Sequence, residues 1–367
     1  MWSFIKVLKL ILATLALVAR GIAAAGAAES CTSSQSTDTA QTLAFFKASE
    51  HDLLTQTSEG AIHIAPLQTD GKPEIYLSKY TVETVPDTMV QGLVFNSLTI
   101  KSDLPSTDAV DHKVVEKMFR ALGAVHAATF TLVRLNVAGA EESADPPALG
   151  PGIDPPRLLK VHTKNLVLRS IGEASAGWVL ARLDLSESEL VVIHLYNAET
   201  ITTLQFLDKA NPKAVAGLYV WRAEVLASIE CALLRRQAIQ DVFELSGAAA
   251  PVSASPETLQ AIATKPWDRL ALTGELWSQV ASKICHPFAV RYLTIAVEFV
   301  AELDSFWDAR PEEKPSVNHL KLSLNNSHSK PKSAMKEDDL LEWSSACFMN
   351  TKTIMFVEPG PRITTHL

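Results

Sequence analysis

The residues that could do chemistry in this chain do not stand at the spacings chemistry needs. Glu173-Ala-Ser175-Ala-Gly177 offers a serine followed by a glycine, but Gly172 lies one residue too early for a nucleophile elbow. His162, His194, His286 and His319 do not pair with carboxylates at motif spacing, and each reads as a surface or satisfied histidine. There is no phosphate-binding loop, no H-E-x-x-H and no kinase signature. Glu312-Glu313 and Asp338-Asp339 read as solvated charges. Cys31, Cys231, Cys285 and Cys347 allow two disulfides in an oxidising compartment, with three pairings open. They are too widely separated for a dense disulfide scaffold, and buried single thiols are the preferred reading. No C-x-x-C or Cys/His spacing suggests zinc, and no cofactor is called for. The chain therefore reads as non-catalytic. The alternative is a secreted α/β hydrolase whose active site assembles in space rather than in sequence.

Charge and the N-terminus narrow the partner classes. The formal balance is -8, and the first thirty residues contribute Lys6, Lys9 and Arg20 against Glu29. Loss of that stretch leaves a more acidic chain, which disfavours nucleic acid held by a global basic field. Residues 1–27 have the layout of a signal peptide: Lys6 and Lys9, an apolar run from Leu10 to Val18, then Ala23-Ala24-Ala25 and Ala25-Gly26-Ala27 as cleavage sites. The apolar run is short for a membrane span, and no later stretch is long enough for one. A secreted, extracellular chain is expected. Asn325-Asn326-Ser327 then becomes a glycosylation sequon in a polar loop, with Asn325 the acceptor.

What would position any functional side chain is a repeated apolar-x-x-apolar-x-apolar unit. Taking its fourth position as a marker gives Leu98, Leu135, Leu166, Ile193, Leu218, Phe243, Leu270, Leu293, Leu320 and Ile354. The steps between markers are 37, 31, 27, 25, 25, 27, 23, 27 and 34. Every marker has an apolar partner two residues on, and seven have one three residues before, among them Leu132 and Leu190. Spacing two puts the pair on one face of a strand. Leu77-x-x-Tyr80-x-Val82 is a candidate earlier unit. Helices are expected at 108–122, 203–209, 223–240, 256–264, 299–309 and 336–346. Pro256 after Ser255 is a good helix opening. Five prolines in 140–157 read as a loop, because proline stops both helix and ladder.

A strand and a helix recurring at this period resemble the leucine-rich-repeat family, from Ile75 to Glu358, in degenerate form. The family's asparagine appears cleanly only in Leu322-Ser-Leu-Asn-Asn326. The resemblance implies an α/β solenoid of the ribonuclease-inhibitor type, a horseshoe with short parallel strands on its concave face and helices on its convex face. Residues 28–74 would be an N-terminal cap and 75–367 the solenoid with its C-terminal cap. A doubly wound sheet or closed barrel is the competing architecture. Against it stand the alternating strands, the count of units and the missing Gly-rich loop.

In such a horseshoe the residues between core positions look out from the concave face. Strands stack about 4.8 Å apart, so Arg169, Tyr196 and Trp221 should be lateral neighbours, as should His194 and Tyr219. Arg134, Arg169, His194, Tyr196, Tyr219, Trp221, Arg269 and Tyr292 are the candidate binding residues, because exposed Tyr, Trp and Arg are hot-spot composition. A register off by one would put them in the core instead. The expected function is recognition of a protein partner on this face. The leader, the degeneracy and the lack of attached domains resemble divergent secreted repeat proteins of intracellular parasites that face a host.

Overall fold

The computed structural model describes residues 73–104, 108–140, 157–248, 251–286, 288–297, 310–324, 337–357 and 363–366, with short stretches between 38 and 64. The leader, the sequon at Asn325, the expected helix at 299–309 and the body of the proline-rich loop lie outside these residues.

The apolar pairs build strands that stack in chain order. They are β1 (Leu54–Gln56), β2 (Ile62–Ile64), β3 (Glu74–Tyr76), β4 (Leu93–Lys101), β5 (Ala124–Val133), β6 (Leu159–Arg169), β7 (Leu183–Asp184) and β8 (Val191–Tyr196). The series continues with β9 (Val215–Trp221), β10 (Ile239–Ser246), β11 (Trp267–Thr273), β12 (Ala289–Val297), β13 (Ser316–Leu324), β14 (Thr353–Val357) and β15 (Ile363–His366). They form one open sheet. All pairings are parallel except β1–β2 and β14–β15 at its two ends. The fold is thus α/β with a single parallel sheet that winds from neighbour to neighbour, as a solenoid does.

Register follows from one buried row. Leu98, Phe130, Leu166, Ile193, Leu218, Phe243, Leu270, Leu293, Leu320 and Ile354 pair in succession across ten strands. None of them is more than 1 % exposed. The row two residues on, from Ile100 to Leu322, is buried with it. Between these rows the side chains turn to the other face, where most are half-buried or exposed.

The second marker needs correction. Phe130, not Leu135, holds the core position of β5. Leu135 lies past the strand end, where the chain makes a left-handed turn that recurs down the sheet. Arg134, Ser170, Asn197, Arg222 and Gly247 all have φ between 51° and 70° and each follows the last residue of its strand. The next residue, Leu135, Ile171, Ala198, Ala223 or Ala248, drops into the core. Left-handed backbone costs roughly 1–2 kcal/mol for a non-glycine residue. It is held because the turn N–H groups of Arg134, Ser170 and Arg222 donate to the carbonyls of Arg169, Tyr196 and Ser246 on the next strand, at 2.9–3.0 Å. Leu135 and Val137 therefore imitate a strand pair without being one, and Arg134 is a turn residue rather than a strand-face residue.

Four other expectations change. Leu190 stands before β8 and is 42 % exposed, because a register shift at Val191 gives that strand its own first apolar residue. Leu77 begins a 3-10 turn (Leu77–Lys79), and the additional short strand is instead β3, where Ile75 pairs with Ile100. The segment 223–240 is helical only at 232–235, since Leu226, Ile229 and Cys231 bury singly on an irregular path. The expected helix at 203–209 is a 3-10 turn, Gln205–Lys209.

The helices are α1 (His112–Leu122), α2 (Glu173–Leu180), α3 (Ala232–Arg235), α4 (Pro256–Thr264), α5 (Gly274–Ala281) and α6 (Glu337–Cys347). Caps start several of them. The side chains of Asp111, Ser255 and Thr273 accept from the backbone N–H of Lys113, Thr258 and Leu276. From α2 through the 205–209 turn, α3 and α4 to α5, each segment packs on the next. On this return side Thr203, Ser228 and Ser253 form a second, minor parallel ladder. Two carboxylates tie it. Glu173 accepts from the N–H and hydroxyl groups of Thr202 and Thr203 at 2.7–3.1 Å, and Glu230 from the Ser255 N–H and the Thr258 hydroxyl. Burial pushes both carboxyls up, but these donors outweigh it and hold them below the usual range.

The buried row predicts its own test. Phe243→Ala should lose about 3–5 kcal/mol of stability in urea titration, as buried Phe→Ala changes do. Leu190→Ala, at an exposed site, should change it by less than about 0.5 kcal/mol.

Candidate recognition surface

The outer face of the sheet carries three lateral rows between the buried ones. One runs Asn165, Val192, Gly217, Val242, Arg269, Tyr292, His319. The next runs Val167, His194, Tyr219, Glu244, Ala271, Thr294, Lys321, and the third Arg169, Tyr196, Trp221, Ser246 and then Thr273, Ala296, Ser323. The strands alone set these neighbours, so an aromatic residue at one position meets whatever stands at the same position one unit on.

Around β8 and β9 four rings meet. His194 stacks on Tyr219 at 4.8 Å between centroids and 12° between planes, and lies parallel to Tyr196 at 5.6 Å. Trp221 crosses this stack, 4.4 Å from Tyr196 at 65° and 5.8 Å from Tyr219 at 71°. Offset stacks and edge contacts of this kind suit the ring quadrupoles. The next lateral neighbour of Trp221 is the small Ser246. Gly217 makes room for the arrangement. A Cβ there would stand 3.2 Å from the Tyr219 ring and 3.1 Å from the Val242 Cβ.

All four rings are half-buried rather than buried. Burial lowers the His194 pKa, and its Nδ1 has no hydrogen-bond partner. Burial also raises both tyrosines, with Arg169 working against it at Tyr196.

The remaining expected residues divide. Arg169 is exposed beside Tyr196, in the same lateral row. Arg269 is exposed and ion-paired to Glu244 at 3.2 Å. Tyr292 stacks on His319 at 4.7 Å, with the guanidinium of Arg291 5.0 Å and that of Arg269 5.8 Å from its centroid. A second aromatic patch thus lies beyond the ion pair. Arg134 stands at the turn after β5, adjoining Arg169 through its backbone and not on the strand face.

One cluster escaped the sequence. His126 and His162 are paired on β5 and β6, and their rings stack at 4.2 Å. His162 Nε2 lies 2.6 Å from Glu187. Burial and the neighbouring His162 lower the His126 pKa, with Glu187 opposing. The misplaced unit at Leu135 hid the pairing of the two histidines. Among the described residues, neither His162 nor His194 is hydrogen-bonded to a serine, threonine or cysteine. Among the described residues no group of three or more His, Cys, Asp or Glu is placed to hold a metal, and no helix is long and apolar enough to cross a membrane. Cys231 is a buried free thiol whose pKa burial pushes up to about 12, while Cys285 is exposed.

Comparison with protein families, with curated proteins and with solved structures finds no match to this chain in any of the three.

The lowered His194 pKa carries a stability consequence. An imidazole held below its ordinary 6.5 binds fewer protons folded than unfolded. Its contribution is therefore full above pH 6.5 and is lost as pH falls through the folded value. His194→Gln should flatten the fall in urea midpoint between about pH 7.5 and about pH 5. An unchanged slope would place the acid sensitivity elsewhere.

Proposed function

We propose that this chain is a secreted, non-catalytic recognition protein, a leucine-rich-repeat-like horseshoe that binds a protein partner on the concave, outer face of its sheet. The observation that carries the reading is the half-exposed cluster of His194, Tyr196, Tyr219 and Trp221 on two adjacent strands. A lone exposed aromatic is ordinary on protein surfaces. Four in contact, flanked by Arg169 and by the Glu244–Arg269 pair, have the composition of a binding centre with a polar rim.

The form of the sheet supports the same reading. Parallel sheets are usually covered on both faces. Here one face holds the buried rows and the other carries polar and aromatic side chains. A winding of neighbour on neighbour leaves such a face free along its length, and repeat proteins use it for partners. Solenoid architecture alone would not specify a function, so the proposal rests on the residues of the face. The extracellular setting rests on the N-terminal leader, and a host-facing role on resemblance of style.

Tyr196→Ala combined with Trp221→Ala is the test. Folding stability should fall by about 1 kcal/mol or less, against about 3–5 for a buried tryptophan. Partner capture by cross-linking from extracellular fluid should drop by at least about thirtyfold, which is the loss of a hot spot worth about 2 kcal/mol or more. A large stability loss, or capture unchanged from the wild type, would remove the aromatic cluster from the binding surface.

A further inference from the structure

The charges of the outer face are unbalanced in a direction opposite to the whole chain. Among the described residues, the carboxylates along its strands are engaged. Glu74 pairs with Lys101, Glu244 with Arg269, Asp268 with Arg291 and Glu187 with His162, while Asp241 sits in the field of Lys265. Lys164, Arg169 and Lys321 on the strands, and Arg134 and Arg222 at the strand ends, have no carboxylate of the described residues within ion-pairing distance. Glu199 and Glu224 lie further round the turns, and neither makes an ion pair among the described residues. In a chain of formal charge -8 this face is a local cationic surplus.

Three of these cations lie along the strand ends beside the aromatic cluster of β8 and β9. Arg134 and Arg222 occupy the same left-handed turn position on β5 and β9, with Ser170 and Asn197 between them. At about 4.8 Å per strand they stand roughly 14 Å apart. Arg169 lies beside Tyr196 within that span, and Trp221 is next to Arg222 in the chain. Extended polypeptide rises about 3.4 Å per residue, so roughly four residues cover the distance. Side chains at i, i+2 and i+4 of such a segment share one face.

We propose, resting on the recognition reading above, that the partner presents an extended acidic segment across the strands of this face. Carboxylates at i and i+4 meet the arginines at the two ends, and an aromatic or apolar side chain at i+2, midway along the span, packs beside Tyr196 at the edge of the ring cluster. The observations favour polypeptide over a uniform polyanion such as a sulfated polysaccharide. Glu244 and Asp268 are interleaved with the cations on the same face and would repel an unbroken run of negative charge, and the ring cluster calls for an apolar group at the centre.

The probe is a fluorescein-labelled peptide Glu-Ser-Tyr-Ser-Glu, read by fluorescence anisotropy on the whole chain, with Lys-Ser-Tyr-Ser-Lys and heparin measured alongside. The acidic peptide should bind, and binding should weaken by about tenfold between about 50 and about 500 mM salt as screening shortens the reach of the arginines. Arg169→Glu with Arg222→Glu should reduce it by at least about tenfold, while Arg169→Gln with Arg222→Gln gives an intermediate loss. Both variants should keep the wild-type thermal midpoint within about 2 °C, since the sites are exposed. The proposal is overturned if the acidic peptide does not bind, if the lysine peptide or heparin binds as tightly, or if the glutamate variant binds like the wild type. Any of these, with cross-linked partner still lost in the Tyr196/Trp221 variant, removes the acidic segment and leaves the recognition reading standing. Loss of both removes that reading too.

Discussion

The constraint on which the rest of the molecule depends is the alternation of each strand about one buried row. Leu98 through Ile354 pair strand to strand and are essentially inaccessible. Because a strand's side chains alternate with period two, fixing this row fixes which residues face out and which of them are lateral neighbours. A slip of one residue would exchange Leu195 for Tyr196 and Val220 for Trp221, which places a burial cost on every wrong register. The outer face is therefore a by-product of the core in its geometry, though not in its composition.

That coupling explains why the central units were legible in the sequence. From Leu166 to Ile354 the markers, their partners and the lateral neighbours Tyr196–Trp221 and His194–Tyr219 follow from apolar spacing alone. The helix at 256–264 was equally legible, since Ser255 and Pro256 give it a cap and a first turn. Legibility failed where a local device imitates the repeat. The left-handed turn followed by a buried residue made Leu135 and Val137 look like a strand pair, which displaced the unit by five residues and moved Arg134 from the turn at the strand end into the strand itself. The same device at Ser170, Asn197 and Arg222 was invisible because backbone handedness has no single-residue signal outside glycine. Segment 223–240 failed for another reason. Its apolar residues bury one at a time along the return path, so their helical spacing was accidental. The ring cluster's neighbours were readable from register. The crossing of Trp221 over the stack, and the space Gly217 leaves for Tyr219, depend on side-chain packing that spacing does not encode.

Two kinds of inter-unit bond divide the labour. Apolar rows and ladder hydrogen bonds hold the strands. On the return side, carboxylates such as Glu173 and Glu230 reach forward to the hydroxyl and N–H groups of the next unit. The units of Glu173 and Glu230 are thus tied to the next at two points, while the outer face contributes ring stacks and ion pairs that are exposed and individually weak. Substitutions on that face are the ones the fold tolerates best.

The most direct test of the central claim is site-specific photo-cross-linking. A benzophenone side chain is placed at Ser246, beside Trp221 on the outer face, and in a second protein at Arg236, exposed on the return side after α3. The account predicts partner adducts from position 246 and none from position 236 when both proteins are irradiated in extracellular fluid. Adducts from 236 with none from 246 would contradict it, and would move recognition to the helical side of the sheet.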